Sequence, residues 1–330
     1  MTLSLIEFEI LRKVCKEETP VADISDSLQI QFAQRKINTA TKALTHRSFI
    51  SIHNSVISIT DKGINALEPY RVKRAVILAA GLGSRMMPAT ENTPKPMVMV
   101  NGKRFIETQL NALLQAGITN ITIVRGYKGN VFDQLLDNYP GLKFMDNPEF
   151  SSSNNIVSAY LARELLEDTY VIEGDLFISN LDIIQPYQYQ SCYYGIPVDS
   201  TDDWYFSTVG DQITDVNLGS EKPCDLYVGI SFWTKNDAQQ LRSDLEITLQ
   251  DPQNRGLFLE DVPLKSRKDN YTMLVNRVNR DDVIEVDTFE ELQVLDQSYN
   301  HTQLEKILEE SHLIDGMQKN LEAETDNLAI

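Results

Sequence analysis

The chain has 330 residues, 42% hydrophobic and 24% charged, with a net charge of −18. That is a globular composition of a length that suits about two domains, and a polyanion of this kind is a poor general binder of nucleic acid or anionic membrane. No apolar run reaches the ~18 residues of a membrane span, Glu7 and Glu9 interrupt the N-terminal apolar stretch against a signal peptide, and the separated Cys15, Cys192 and Cys224 point to a reducing, cytoplasmic setting.

The charge is unevenly spread. Residues 1–74 hold 11 Lys/Arg against 8 Asp/Glu, a balance of +3, and the remainder holds 19 against 40, a balance of −21. Two units with different jobs are expected. In the first, Leu3, Ile6, Ile10, Leu11 and Val14 recur at helical spacing. Thr19-Pro20 breaks the chain, and Val21, Ile24 and Leu28 give a short second helix. A third helix is predicted over 32–45, with Ala33, Ile37, Ala40 and Leu44 on one face. Residues 49–53 and 56–60 then alternate with period two around Asn54-Ser55, a hairpin signal, and a last short helix runs to Leu67. Three helices and a hairpin follow the winged helix-turn-helix plan, so the fold expected for residues 1–70 is a small domain of that type.

The second unit alternates strand and helix. Strands are predicted at 75–80, 120–124, 142–145 and 169–173, and helices at 105–116, 131–138 and 156–166. This is an α/β pattern built on a parallel sheet. Beyond residue 190 the pattern mixes, with short strands near 204–209, 213–218, 227–233 and 283–286 and a helix over 289–295. The acidic tail 301–330 reads as helical and is a candidate assembly helix for a homo-oligomer. Four scattered histidines do not make a zinc site.

The strongest chemical signal follows the first of these strands: Ala80-Gly81-Leu82-Gly83-Ser84-Arg85, then Pro88, then Pro94-Lys95-Pro96. A glycine-rich turn after a strand lets backbone N–H groups approach phosphate oxygens. Arg85 offers a planar fork and Lys95 a point charge. Residues 75–97, AVILAAGLGSRMMPATENTPKPM, resemble the signature of nucleoside-triphosphate transferases. The wider span 71–300 resembles the bacterial CTP:phosphocholine cytidylyltransferases of that superfamily. Met86 is a small departure, since relatives often carry leucine there.

The resemblance implies a Rossmann-like mixed sheet and transfer of CMP from CTP to phosphocholine, giving CDP-choline and pyrophosphate. Asp175 lies at the end of a predicted strand, where ligands of open α/β sheets bind, and by resemblance it is the first Mg²⁺ ligand. Asp287 matches the second, with N-capping of the helix at 289–295 as its competing role. Asn154 and Asn155 correspond to a stretch near the nucleotide, although capping is their alternative role. Gly126-Tyr127 follows a strand and is assigned the border of the base. Lys95 and Arg85 are expected to offset charge that develops during attack on the α-phosphorus, and no general base is required, because a phosphate monoester is already ionised near neutral pH.

For the acceptor, Trp204, Trp233, Glu260 and Asp261 combine aromatic faces with acid groups, as a quaternary ammonium would favour; the competing reading of Trp233, in a strand flanked by apolar residues, is core, and it is the stronger of the two for that residue. Two alternatives stand: a sugar-1-phosphate nucleotidylyltransferase, and a regulator whose transferase-like unit senses nucleotide. Arg85, Lys95, Asp175 and Asp287 together argue against the sensor. Residues 1–70 offer Gln31, Gln34, Arg35, Lys36, Asn38 and Lys42 to DNA, or else pack on the enzyme or form a dimer.

Overall fold

The computed structural model describes residues 2–29 and 31–300. The tail 301–330, and with it the expected assembly helix, lies outside the described residues. Among the described residues no helix is long and apolar enough to cross a membrane.

The N-terminal unit runs α1 (Leu5–Val14), β1 (Thr19–Pro20), α2 (Val21–Leu28), α3 (Gln34–His46), β2 (Ile50–His53), β3 (Val56–Ile59) and α4 (Asp61–Leu67). The three strands form an antiparallel sheet in the order β1-β3-β2. Asn54 and Ser55 both sit at positive φ, 49° and 63°. That is the two-residue turn whose twist matches a hairpin. Thr60 caps α4 by accepting from the Gly63 N–H at 3.1 Å. Phe8, Leu11, Ile24, Leu28, Ile37, Leu44 and Ile57 close the core of this unit, and Tyr187 from the following unit joins them. The contact is aromatic: Tyr70 and Tyr189 stack at 5.3 Å and Phe8 tilts against both. The Tyr189 hydroxyl donates to the Leu3 carbonyl at 2.9 Å, and Lys16 pairs with Asp182.

The larger unit contains β4 (Arg74–Ala79), β5 (Met99–Val100), β6 (Lys103–Arg104), α5 (Phe105–Gln115), β7 (Ile121–Arg125), β8 (Lys143–Asp146), α6 (Asn155–Leu161), β9 (Thr169–Glu173), β10 (Leu176–Ile178), β11 (Cys192–Val198), β12 (Thr201–Val209), β13 (Gln212–Ser220), β14 (Cys224–Trp233), α7 (Lys235–Thr248), β15 (Leu274–Arg277), β16 (Val283–Glu285) and α8 (Phe289–Leu295). Nine strands form one sheet, ordered β11-β15-β13-β12-β14-β9-β4-β7-β8, and β11 also pairs antiparallel with β14. β9, β4, β7 and β8 are parallel, and β14 runs antiparallel beside β9.

β4 sits between β9 and β7 and is covered on both faces, which is why it reads as an unbroken apolar run. Ala75 and Ile77 face Ile106, Leu110 and Leu113 of α5; Val76 and Leu78 belong to the opposite core with Ile156, Val171, Trp233 and Leu241. The segment predicted as a helix over 131–138 is a tighter 3₁₀ helix, Gly129–Asp137. Its buried Phe132 and Leu135 are three apart, the period at which a 3₁₀ helix aligns side chains. The predicted helix 156–166 is shorter, ending at Leu161 before a separate turn over Arg163–Leu165.

Candidate active site

Four backbone features converge at the carboxyl ends of β4 and β9. Beyond Ala79 the chain turns through Ala80–Gly83, and Gly83 at φ +62° starts the turn Ser84–Met86. A Cβ on Gly83 would come within 3.1 Å of both Lys95 Cβ and Thr90 Cγ2, so the turn packs tightly on the Lys95 segment. Beyond β9, Gly174 leaves room for Pro96; a Cβ there would lie 2.8 Å from Pro96 Cγ. β10 then pairs antiparallel with β16, Leu176 opposite Glu285, which brings Asp175 beside Asp287. Two sequence-distant strand ends thus deliver their acids to one cleft of about 530 Å³.

Lys95 lies at the centre of these acids. Its Nζ is 2.9 Å from Asp175 Oδ2 and 2.8 Å from Asp287 Oδ1, and only 10% of its side chain is exposed. Burial alone would lower its pKa, but Asp175 and Asp287 outweigh burial and hold it above the ordinary lysine value. Arg85, 68% exposed, reaches the same Asp287 oxygen at 2.9 Å. Asp287 does not cap α8: Thr288 takes that role, accepting from the Glu291 N–H at 3.2 Å.

The other oxygen of Asp175, Oδ1, is buried and has no hydrogen-bond partner. Carboxylate oxygens of Glu173, Asp175 and Glu285 lie within 4.8 Å of one another. Hard oxygen donors at that spacing, one of them orphaned, fit a divalent cation such as Mg²⁺. The compact set is Glu173, Asp175 and Glu285; Lys95 engages both Asp175, through Oδ2, and Asp287, which Arg85 also reaches.

A second layer lies alongside. Tyr227 Oη is 3.0 Å from Glu260 Oε1 and 3.2 Å from Glu173 Oε1. One hydroxyl proton serves one acceptor, so the second contact is a hydrogen bond only when a carboxyl carries a proton. Burial first, with Glu260, Asp175 and Glu285 added, pushes Glu173 well above the usual carboxylate range; burial likewise raises Glu260. Asn155 ties this layer down, donating to Glu173 Oε1 at 3.1 Å and accepting from the Leu259 N–H at 2.8 Å. Asn154 caps α6 and also lines the cleft.

Most of the residues predicted for the site meet in this cleft: Ala80, Gly81, Leu82, Gly83, Ser84, Arg85, Lys95, Asn154, Asn155, Asp175, Trp204, Glu260, Asp261 and Asp287 all line it. Three do not. Trp233 is fully buried in the core, its indole N–H donating to Ser231 Oγ at 3.0 Å, so it offers no face to a substrate. Gly126 and Tyr127 stand behind the glycine-rich loop. A Cβ on Gly126 would fall 2.4 Å from Phe150 Cβ and 2.7 Å from the Ala80 carbonyl, and the Tyr127 N–H donates to that same carbonyl at 3.2 Å. They support the loop from outside the cleft. The cleft adds Glu173, Asp203, Tyr227, Phe258, Lys265 and Glu285. A signal for two of these was present: Glu-X-Asp ends both β9 and β16 regions, at 173–175 and 285–287, and period two puts both acids of each pair on one side.

Residues 74–193 match the family model described as nucleotidyl transferase. A 2-aminoethylphosphonate cytidylyltransferase of Lancefieldella rimae is 36% identical over 243 residues, spanning 72% of this chain and 96% of that protein. The chain belongs to the nucleotidyl transferase family. This nucleotidyltransferase is an enzyme of that class, and its relatives place it with the cytidylyltransferases. A choline-phosphate cytidylyltransferase of Streptococcus pneumoniae is 31% identical over 227 residues, 68% of this chain and 97% of the relative. The solved structure of the CTP:phosphocholine cytidylyltransferase from Streptococcus pneumoniae superposes with a TM-score of 0.63 at 30% identity, covering 72% of this chain and 99% of the other.

Proposed function

We propose that this enzyme transfers CMP from CTP to a small acceptor carrying a phosphate or phosphonate at one end and an ammonium group at the other; phosphocholine and 2-aminoethylphosphonate, the acceptors named for two of its relatives, are of this kind. The carrying observation is the pairing of the Lys95–Asp175–Asp287 centre with an aromatic and acidic wall, Trp204, Phe258, Glu260 and Asp261, in one cleft. An ammonium is attracted by an aromatic face and by carboxylates, and this wall supplies both, which supports an ammonium-bearing acceptor.

An acceptor oxygen attacks the α-phosphorus in line. The new P–O bond forms as the bond to the bridging oxygen breaks, and pyrophosphate leaves with that electron pair. The protein's task is to position and to neutralise charge. Lys95 holds a full positive charge at the end of β9 and Arg85 supplies a second from the mouth. The glycine-rich loop 80–83 brings backbone within reach of phosphate oxygens. Asn155 and Tyr227 fix Glu173 and Glu260 and so shape the cleft floor. Glu173, Asp175 and Glu285 would hold Mg²⁺, which when bound screens the negative charge of the triphosphate.

The test is pyrophosphate release with MgCl₂ from CTP, UTP, ATP or GTP crossed with phosphocholine, 2-aminoethylphosphonate and glucose-1-phosphate. Release confined to CTP with the aminoalkyl acceptors supports the reading; release with glucose-1-phosphate overturns it.

For residues 1–70 the reading is a winged helix-turn-helix that binds duplex DNA through α3. In support, α3 contains no acidic residue and exposes Gln34, Arg35, Lys36, Asn38 and Lys42 beside an exposed hairpin tip. Fluorescence anisotropy with mixed-sequence duplex at about 100 mM salt tests it: an Arg35→Glu/Lys36→Glu variant should lose binding, and wild-type protein that never binds would sink the idea. The three free cysteines support a reducing, cytoplasmic location.

A further inference from the structure

The acceptor wall already holds a cation of the chain's own. Lys265 Nζ lies 4.0 Å from the centre of the Trp204 ring and 2.8 Å from Asp261 Oδ1. All three residues line the cleft. Of the cation–ring contacts among the described residues, this is the one whose members face the cleft; those at Phe49, Tyr187, Phe144, Tyr127 and Tyr160 lie elsewhere. The ammonium thus has an aromatic face on one side and a charge-assisted hydrogen bond on the other. Those are the contacts the ammonium end of an acceptor would seek.

We propose that Lys265 is a specificity-determining residue: in the free enzyme it fills the ammonium subsite at Trp204 and Asp261, and a cationic acceptor displaces it. This rests on the aminoalkyl reading above. Lys265 is able to leave. Its side chain is 38% exposed on a flexible four-carbon stem, so its head reaches water by rotation alone. Two consequences follow. The acceptor binds more weakly than the bare subsite would allow, by the fraction of time the lysine is out. An acceptor with a neutral tail has no charge with which to replace Lys265, so the lysine stays and the subsite remains closed to it.

The experiment uses the full chain with Lys265→Met, which keeps the stem's bulk and removes the charge, and Lys265→Arg, which keeps the charge. KM is measured for CTP, phosphocholine, 2-aminoethylphosphonate and ethyl phosphate. Lys265→Met should lower the KM of both cationic acceptors about tenfold, roughly 1.4 kcal/mol. Lys265→Arg should stay near wild type, and the KM for CTP should move in neither. An acceptor KM that is unchanged or raised in Lys265→Met overturns the proposal.

A second readout is independent of turnover. Tetramethylammonium chloride and ethylammonium chloride are titrated against tryptophan emission, with NaCl as the control. Trp204 is the tryptophan that faces the cleft, and Trp233 is buried. The half-maximal response should come at about tenfold lower concentration in Lys265→Met, and equal responses in the two proteins would refute the displacement. The two failures are separable. Transfer only to glucose-1-phosphate, with the emission shift intact, defeats the aminoalkyl reading alone. Transfer to aminoalkyl acceptors with no change in Lys265→Met defeats the Lys265 inference alone.

Discussion

Replacing Lys95 by methionine keeps the stem and removes the charge that two carboxylates share. At 2.9 and 2.8 Å each contact is worth about 6 kcal/mol of gross attraction at an effective dielectric near 20. Most of that is offset by the cost of taking three ions out of water, and breaking a buried pair costs about 3–5 kcal/mol in practice. Asp175 and Asp287 retain 24% and 22% exposure, so water screens part of the remaining repulsion and a loss of about 2–3 kcal/mol is expected. Catalysis should suffer more, because a fixed charge aimed at a reacting phosphate is worth about 10²–10³ in kcat. Pyrophosphate release at saturating substrate measures the second effect and thermal unfolding the first. Lys95 and Mg²⁺ would share one acid, Asp175, so MgCl₂ should restore more stability to Lys95→Met than it adds to wild type. Turnover within about tenfold of wild type would refute the reasoning.

Other outcomes follow from particular contacts. Trp204→Ala should raise the acceptor KM about tenfold and leave that of CTP in place, whereas Trp233→Ala should cost about 3–5 kcal/mol of stability as a core truncation, read by denaturant unfolding. Gly126→Ala forces a methyl group into Phe150 and the Ala80 carbonyl and should destabilise by about 1–3 kcal/mol as overpacking does; an unchanged melting temperature would contradict that role. Tyr189→Ala removes the stack on Tyr70 and Phe8 and the bond to Leu3, so amide exchange should accelerate first in residues 2–70. Chelation with EDTA should abolish turnover, and added MgCl₂ should restore it.

Local patterns carried much of this far. The apolar run of β4, the period-two strands of the hairpin and the Thr60 cap each arise from neighbours in sequence, and all appear where the residues imply. The site is only half local. The Gly-Arg-Lys motif is legible because its parts lie within 20 residues, but the closeness of Asp175 to Asp287 depends on β10 pairing with β16, which no window of sequence reveals. α7 buries Ala238, Leu241, Leu245 and Thr248 on one face, yet the mostly polar composition of the segment hides that face in the sequence. β11, CYYGIPV, carries a proline and a glycine that mask a strand buried between β14 and β15. Trp233 reads as substrate-facing or core from its residue type alone, and only the packing of α7 and Tyr271 around it decides. Lys265 resembles any surface lysine until the fold lays it across Trp204.

The most direct test of the central claim is ³¹P NMR of the enzyme with CTP, MgCl₂ and 2-aminoethylphosphonate or phosphocholine. The account predicts loss of the CTP triphosphate signals, growth of pyrophosphate and a pair of coupled resonances from a new anhydride between the CMP phosphorus and the acceptor's phosphorus. A spectrum that shows CTP unchanged with both acceptors, from protein that still binds the nucleotide, would contradict it.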